Sequence, residues 1–351
     1  MTLFALGRHL VFAAGIALIS ALVVRAMITA RVMDLPKARS SHAVPTPRGG
    51  GVGIVVGFLL GVSVLYGFAS FARIGDPYFR GVILASIAIA VVGFIDDLRD
   101  WPFSVKLGTQ TAAALVAVGS GLYVSVFRLP VIGAVSIGPV AGAAVTVGWI
   151  VLATNAMNFI DGLNGLAAGT ALVAAGFLAV IAALQGGWFV YFAALLLAAG
   201  ILGFMPYNFP RARIFMGDVG SQFCGFVLAV LGVAANRFER VEMSFLLVPM
   251  LLSGVLYDVV FTLVRRALAG ERITEAHRGH LYQVAQRSGI DARIVAMAHW
   301  GFAGLGGIVC FGFLAVPSGA KAWLPAVLLL PQVAWTFYVR ALARRAGLGR
   351  W

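Results

Sequence analysis

Residues 166–185 read LAAGTALVAAGFLAVIAALQ, and residues 188–205 read WFVYFAALLLAAGILGFM. Neither stretch contains a charged side chain, and only two glycines separate them. A helix that crosses a bilayer needs about 20 consecutive, mostly apolar residues. The two stretches therefore predict adjacent transmembrane helices and set the pattern for the rest of the chain.

The composition extends this prediction to all 351 residues. The chain is 61% hydrophobic and 11% charged, with a mean hydropathy of +0.97, whereas soluble domains carry about 25% charged residues. Apolar stretches of comparable length begin near Leu10, Gly50, Gly81, Gly108, Val140, Leu166, Trp188, Gly220, Phe245, Ile294 and Leu324. We therefore predict an all-α fold, a polytopic integral membrane helical bundle of about ten to eleven transmembrane helices, as a single domain over residues 1–351.

The net charge of +13 would suggest a nucleic-acid ligand in a soluble protein, but its distribution argues against one. With eleven spans, 19 of the 26 basic residues fall in the odd-numbered connections and the C-terminal tail. The positive-inside rule then places the N-terminus outside and the C-terminus in the cytoplasm. We therefore expect an integral membrane protein with no nucleic-acid partner.

The acidic residues also gather on one side. Of 13 acids, nine fall on the predicted cytoplasmic side and Asp258 alone falls inside a predicted span. Transporters place ionisable groups near the membrane midplane, so this pattern favours a site open to cytosolic substrate. A secondary transporter of a nucleotide-sugar or organic anion, attracted by the basic cytoplasmic face, remains the alternative.

The stretch TNAMNFIDGLNG, residues 154–165, places polar groups at the end of an apolar run. On a helix, Asn155, Asn158 and Asp161 would share one broad face, because residues three apart lie on the same side. Burying these groups is costly unless they meet partners. Gly162 and Gly165 then permit close backbone approach to a ligand.

Two earlier motifs lie in predicted cytoplasmic loops. In SSHAVPTPRGGGVG, residues 40–53, the prolines stiffen the chain and the glycines permit close approach, although a simple turn is the favoured explanation of this stretch alone. In GFIDDLRDWP, residues 93–102, Asp96 and Asp97 repel each other unless a cation lies nearby. A solvated helix end is the other interpretation of that pair.

Two later motifs suit phosphate chemistry. In PYNFPRARIFMGDVGS, residues 206–221, Asp218 would begin the eighth span, either as an ordinary helix cap or as a metal ligand beside backbone N–H groups. In ITEAHRGHLYQ, residues 273–283, His277, Arg278 and His280 suit diphosphate better than zinc, because nothing nearby completes a tetrahedral set. Together the motifs indicate phosphoryl transfer from a nucleotide-activated substrate to a lipid phosphate.

These five ordered motifs, spread over residues 34–290, resemble the polyprenyl-phosphate N-acetylhexosamine-1-phosphate transferases. The resemblance implies an active site on loops 31–50, 95–107, 155–165, 206–221 and 267–292. It also implies Mg²⁺, with Mn²⁺ as a substitute, a UDP-N-acetylhexosamine donor and undecaprenyl phosphate as the membrane-lipid acceptor. The products would be UMP and a lipid diphosphate sugar that initiates surface-polysaccharide synthesis of the O-antigen type.

The resemblance also implies residue roles. Asp96, Asp97 and Asp161 are the expected catalytic residues, with Asp96 the favoured base, and Asp161 and Asp218 the expected metal ligands. The expected substrate-binding residues are Asn158, Gly162, Leu163, Asn208, Phe215, Lys106, His277, Arg278 and His280, with Gln110 paired to Lys106. One-step transfer is expected, and a covalent phospho-aspartate remains an alternative. Asp258 resembles a family position, which we interpret as structural, and small-residue packing would permit a homodimer.

Overall fold

A computed structural model describes residues 2–34, 44–68, 77–129, 133–237, 243–272, 277–317 and 320–348. Residues 35–43 and 273–276, which belong to two of the predicted site loops, lie outside the described part of the chain. All of the individually predicted site residues lie within it.

The described chain is almost entirely helical, as predicted. Its helices are α1 Leu3–Ala30, α2 Gly51–Phe68, α3 Pro77–Arg99, α4 Phe103–Gly119, α5 Gly138–Phe159, α6 Leu166–Gln185, α7 Trp188–Asn208, α8 Asp218–Arg237, α9 Leu247–Leu251, α10 Ser253–Leu268, α11 Leu281–Arg287, α12 Ala292–Ala315 and α13 Leu324–Arg345. Two antiparallel hairpins accompany them, β1 Met33–Asp34 with β2 Thr46–Pro47, and β3 Val126–Leu129 with β4 Gly133–Ser136.

Nine helices in the described ranges are long and apolar enough to cross a membrane, namely α1, α2, α3, α5, α6, α7, α8, α12 and α13. The prediction of a polytopic helical membrane protein is therefore confirmed. Two predicted spans take a different form: α4 has 17 residues, and the stretch beginning near Phe245 is interrupted between α9 and α10. α4 runs antiparallel to α3, since Gly81 near the start of α3 lies against Ser120 after the end of α4.

α8 lies at the centre of the bundle and contacts α2, α3, α5, α6 and α7. Small residues allow this close packing. A Cβ at Gly51 of α2 would lie 2.2 Å from the Cα atom of Gly220, and a Cβ at Gly93 of α3 would lie 2.9 Å from the backbone of Asp218. Because α8 is surrounded on every side, Asp218 at its N-terminus is placed at the centre of one end of the bundle.

Hairpin β1–β2 closes this end by pairing with the segment that precedes α8. The Phe215 N–H donates to the Pro47 carbonyl at 2.8 Å, and the Gly50 N–H donates to the Phe215 carbonyl at 2.9 Å. The Arg48 N–H donates to the Val32 carbonyl at 2.8 Å. The hairpin backbone is thus fixed against the α7–α8 loop, which leads into Asp218.

Candidate active site

A cavity of about 300 Å³ opens at this end of the bundle. It is bounded by the β1–β2 hairpin, the ends of α3, α5 and α7, the start of α8 and the segment that leads into α11. The lining residues are Asp34, Arg48, Asp97, Asn158, Asp161, Gly162, Leu163, Asn164, Asn208, Phe215, Gly217, Asp218, His277 and Gln283. Side chains distant in sequence, from five of the predicted loops, therefore meet in one place.

The two adjacent carboxylates at the end of α3 have different partners. Asp97 lines the cavity, and its carboxylate accepts from the N–H groups of Asp218 at 2.9 Å and Val219 at 3.2 Å. It therefore caps α8 from another helix, satisfying N–H groups that have no partner inside α8. Asp96 lies outside the cavity lining and accepts from the Trp101 N–H at 2.7 Å and from Lys106.

Lys106 near the start of α4 bridges two of the acids. Its ammonium group lies 3.0 Å from Oδ2 of Asp96 and 2.9 Å from Oδ2 of Asp218. The repulsion between Asp96 and Asp218 is thus offset by a cation from α4, whereas the predicted repulsion partner of Asp96, Asp97, accepts from backbone N–H groups instead. Lys106 itself does not line the cavity.

A chain of side-chain amides leads from α5 to Asp218. Asn155 donates to Oε1 of Gln110, Gln110 donates to Oε1 of Gln222 at 2.9 Å, and Gln222 donates to Oδ2 of Asp218 at 3.0 Å. Asn155 is buried at the α4–α5 contact and is not part of the cavity lining. Asn155 is thus turned toward Gln110 of α4 rather than toward the cavity, although it shares a helix face with Asn158.

Asn158 does line the cavity, and it donates to Oδ1 of Asp218 at 3.0 Å and to the Ser221 hydroxyl at 2.9 Å. α5 ends at Phe159, so Asp161 lies in the turn that follows rather than on the predicted helical face. The Tyr282 hydroxyl donates to the Phe159 carbonyl at 2.9 Å and fixes this turn. A Cβ at Gly162 would lie 2.3 Å from that hydroxyl, so the turn requires glycine.

Asp161 is the carboxylate at this cavity without a hydrogen-bond donor among the described residues. Burial first, and then the negative charges of Asp218 and Asp97, raise the pKa of Asp161 well above its ordinary value. A cation in the cavity would relieve this repulsion. The arrangement thus favours binding of a positively charged ion beside Asp161.

The side chains at this cavity suit Mg²⁺ better than a metal ion whose ligands all come from the protein. Among the described residues no group of three His, Cys, Asp or Glu side chains is arranged to hold a metal. Mg²⁺ is usually bound by one or two carboxylates and takes its other ligands from water and substrate phosphate. Asp161 and Asp218, both in the lining, supply such a pair.

Asn208 is the last residue of α7 and Phe215 lies on the α7–α8 loop, and both line the cavity. Asn208 is buried; its carbonyl accepts from the Gly165 N–H at 2.7 Å, and its NH₂ group donates to the Ile214 carbonyl at 3.0 Å. It therefore joins the α5–α6 turn to the α7–α8 loop. The Phe215 side chain is half-buried at the cavity wall.

The histidine-containing loop divides into a cavity-facing part and a buried part. His277 lines the cavity, and burial first, followed by the charges of His280, Arg266 and Arg265, lowers its pKa to about 4. His280 is buried against Asp258 with a separation of 3.1 Å, outside the lining, and Arg278 is also outside it. The predicted diphosphate-binding trio is thus represented at the cavity by His277 alone among the described residues.

Asp258 explains why His280 is buried. Its carboxylate also accepts from the N–H groups of Leu281 and Tyr282, each at 3.0 Å, so it caps the start of α11. His299 of α12 lies 3.7 Å away on the other side. This arrangement agrees with the structural interpretation of Asp258.

The sequence interpretation did not assign Asp34, Arg48, Asn164, Gly217 or Gln283 to the site, although all five line the cavity. Gly217 had a readable signal, since a glycine directly before a helix-starting acid suggests a left-handed turn. Its φ is +76°, and a Cβ there would lie 2.4 Å from Oδ2 of Asp97. The other four depend on how loops meet, which the sequence does not display.

Comparison with known proteins agrees with this site. The family model described as Glycosyl transferase family 4 matches residues 79–236. A probable undecaprenyl-phosphate N-acetylglucosaminyl 1-phosphate transferase of Bacillus subtilis is 32% identical, covering 79% of this chain and 76% of the relative. A decaprenyl-phosphate N-acetylglucosaminephosphotransferase of Mycobacterium tuberculosis is 33% identical, covering 79% and 74%. An undecaprenyl-phosphate alpha-N-acetylglucosaminyl 1-phosphate transferase of Thermotoga maritima is 31% identical, covering 73% of each.

The fold is that of a polytopic integral membrane protein with an acidic cavity at one end of its helical bundle. The relatives are membrane transferases that act on polyprenyl phosphates. Within that class, the chain belongs to glycosyl transferase family 4, alongside the polyprenyl-phosphate N-acetylglucosaminyl 1-phosphate transferases. The resemblance inferred from the five motifs is confirmed.

Proposed function

We propose that this chain transfers an N-acetylhexosamine 1-phosphate from a UDP-sugar to undecaprenyl phosphate, forming undecaprenyl-diphosphate sugar and UMP. The observation that carries the proposal is the meeting of Asp97, Asp161 and Asp218, from three separate helix ends, at one cavity. The names of the relatives, which act on undecaprenyl or decaprenyl phosphate with N-acetylglucosamine 1-phosphate, support it. We further propose that the reaction initiates surface-polysaccharide synthesis.

In this proposal Asp161 and Asp218 hold Mg²⁺. When bound, the ion would neutralise charge on the donor diphosphate and polarise its phosphorus–oxygen bonds. Asn158 and Gln222 orient Asp218 through hydrogen bonds to its two oxygens. Asp97 fixes the backbone from which Asp218 projects.

The donor nucleotide would lie along the α5–α6 turn and the α7–α8 loop. Phe215 offers a ring face for stacking on uracil, and Gly162 and Leu163 offer backbone at the cavity wall. Asn208 acts mainly by holding the two loops together, since both of its amide groups are already hydrogen-bonded. His277 is neutral at pH 7, and its Nδ1 accepts from the Gly279 N–H at 3.1 Å, so its Nε2–H can donate a hydrogen bond to the diphosphate.

The lipid acceptor supplies the nucleophile. One of its phosphate oxygens attacks the β-phosphorus of the UDP-sugar, and the bond from that phosphorus to the bridging oxygen breaks as UMP leaves. A phosphate monoester has a second pKa of about 6, so most of the acceptor is already doubly charged at pH 7. Charge neutralisation is therefore the larger requirement, and Lys106, which lies outside the lining, contributes by offsetting the charges of Asp96 and Asp218. Asp96 is the proposed base for the remaining fraction.

We propose that the cavity faces the cytoplasm of a bacterial inner membrane. The predicted cytoplasmic loops and the C-terminal tail together carry 19 of the 26 basic residues, and residues of those loops line the cavity. The N-terminus then lies outside and the C-terminus inside.

The test is UMP release by the purified full-length protein in detergent, with undecaprenyl phosphate, Mg²⁺ and a panel of UDP-sugars. We expect release with at least one UDP-N-acetylhexosamine, and loss of at least a hundredfold in Asp218→Asn. Asp291→Asn is the matched control, because Asp291 is exposed at the start of α12 and asparagine also caps helices. Accumulation of UDP-sugar in vesicles without UMP release would refute the proposal and favour a transporter.

A further inference from the structure

Within the described part of the chain, the Arg48 guanidinium group at the cavity makes none of the hydrogen bonds that such a group normally makes. The side chain is 18% exposed and lines the cavity. Its NH1 lies 3.6 Å from Asp100 and 3.9 Å from Asp34, both beyond hydrogen-bonding distance. Its Nε is buried and has no partner in the described part of the chain. Burying an unsatisfied charged donor is unfavourable, so the position calls for a ligand.

The remainder of the lining shows what kind of ligand would satisfy Arg48. The described lining contains four carboxylates, those of Asp34, Asp97, Asp161 and Asp218. Arg48 is the side chain in this described lining with a permanent positive charge, and the pKa of about 4 leaves His277 neutral. Any anion that enters must overcome this negative potential, and Arg48 is the fixed cation that offsets it.

The backbone of Arg48 is held firmly in place. Its N–H donates to the Val32 carbonyl, and its neighbours Pro47 and Gly50 are hydrogen-bonded to Phe215 on the α7–α8 loop. The backbone from which the guanidinium projects is therefore anchored between the hairpin and the loop that leads into Asp218. Planar guanidinium groups bind phosphate oxygens with two parallel hydrogen bonds.

We propose that Arg48 is a substrate-binding residue that donates hydrogen bonds to phosphate oxygens in this cavity. The inference rests on the proposed function, which supplies two sources of phosphate, the donor diphosphate and the acceptor lipid phosphate. Two weak carboxylate contacts hold Arg48 when the cavity lacks substrate, and phosphate replaces them. Asp34 and Asp100 thus keep the guanidinium oriented without satisfying it.

Binding measurements on the purified full-length protein test this without turnover. The probes are UDP, uridine and undecaprenyl phosphate, titrated into wild type, Arg48→Gln, Arg48→Lys and Arg293→Gln in detergent with Mg²⁺. A hydrogen bond to a charged group is equivalent to about ten- to a hundredfold in affinity. We expect Arg48→Gln to lose that factor for one phosphate probe, Arg48→Lys to lose less, and uridine binding to stay unchanged.

The probe that is affected identifies the source. Loss for UDP assigns Arg48 to the donor diphosphate, and loss for undecaprenyl phosphate assigns it to the acceptor. Arg293→Gln is the control, because Arg293 is an exposed arginine paired with Asp291 away from the cavity. Binding of both phosphate probes by Arg48→Gln within twofold of wild type overturns the inference, as does failure of wild type to bind either probe.

A second variant covers the case in which Arg48→Gln does not fold. Asp100→Asn removes the carboxylate 3.6 Å from Arg48, and asparagine tolerates the left-handed backbone at this position, where φ is +48°. We expect it to bind the phosphate probe several-fold more tightly, whereas Asp291→Asn does not. Unchanged affinity in Asp100→Asn overturns the inference. If wild type binds UDP but releases no UMP from any UDP-sugar, the proposed function fails while this comparison still decides the role of Arg48.

Discussion

The carboxylate of Asp97, at the end of α3, accepts the backbone N–H of Asp218, at the start of α8, with a separation of 2.9 Å. The two residues are 121 positions apart in sequence. The contact fixes the N-terminus of the most enclosed helix against a neighbouring helix, and with it the direction in which the Asp218 side chain projects. The proposed metal ligand is therefore positioned by a residue that also lines the cavity.

Gly217→Ala tests this contact. The φ of +76° strains any other residue, and the new Cβ would lie 2.4 to 2.8 Å from the Asp97 carboxyl group. We expect a loss of about 2 to 3 kcal/mol in the free energy of unfolding and at least a tenfold loss of UMP release.

Gly289→Ala is the matched control, because its φ is +96° but nothing lies within 4 Å of its Cβ position. This variant introduces the backbone strain without the steric clash, and we expect it to lose roughly 1 kcal/mol in the free energy of unfolding. Equal melting temperatures for the two alanine variants would show that the Asp97 contact has no influence on stability.

Asp161→Asn should stabilise the protein in the absence of Mg²⁺ and lose this advantage over wild type when Mg²⁺ is added. A carboxyl whose pKa is raised in the folded state opposes folding above its ordinary pKa of 3.8, because the unfolded state releases the proton more easily. In EDTA at pH 7 the variant should therefore melt at a higher temperature than wild type. With Mg²⁺ in excess, wild type should gain stability by ligand binding and the variant should gain less.

Thermal unfolding in detergent measures both arms, with Asp291→Asn as the control. A variant that melts below wild type in EDTA would contradict the electrostatic account of Asp161. An equal Mg²⁺-induced shift in both proteins would remove Asp161 from the metal site.

Asp258→Asn should loosen the start of α11. The carboxylate accepts two backbone N–H groups and contacts His280, and each hydrogen bond to a buried charged acceptor contributes about 1.5 to 3 kcal/mol. We expect a lower melting temperature and a raised KM for the UDP-sugar, since His277 and Gln283 flank this turn. The measurement is melting temperature together with donor KM, and a lower melting temperature with an unchanged KM would limit Asp258 to stability.

His277 should make the protein less stable in acid. The pKa of about 4 lies below the ordinary 6.5, so between these values the unfolded state binds more protons and stability falls as pH decreases. His277→Gln removes this contribution, and its melting temperature should fall less than that of wild type between pH 7 and pH 5. Parallel curves for the two proteins would show that His277 titrates normally in the folded state.

Lys106→Met should have its main effect on activity. It removes the ammonium group that lies 3.0 Å from Asp96 and 2.9 Å from Asp218, so two carboxylates face each other without a cation. We expect at least a hundredfold loss of UMP release, with partial recovery in Lys106→Arg. Activity within threefold of wild type in the methionine variant would show that the bridge is dispensable.

The sequence by itself determined the membrane bundle, because hydropathy is a local property and each apolar stretch can be counted independently of the others. It also determined that Asp218 begins α8, since the preceding Gly217 and the apolar run that follows are neighbours in the chain. The acids and amides of five loops were predicted for one site from the resemblance and from their shared side of the membrane.

Only the tertiary structure decided which of these side chains reach the cavity. Asn155 and Asn158 are three residues apart on one helix, yet α4 covers the first and leaves the second at the cavity. Asp258 buries His280 while His277 stays at the wall, and a hairpin paired to Phe215 brings in Arg48. Hydrogen bonds between segments far apart in sequence set these distinctions, and a pattern along one chain does not contain them.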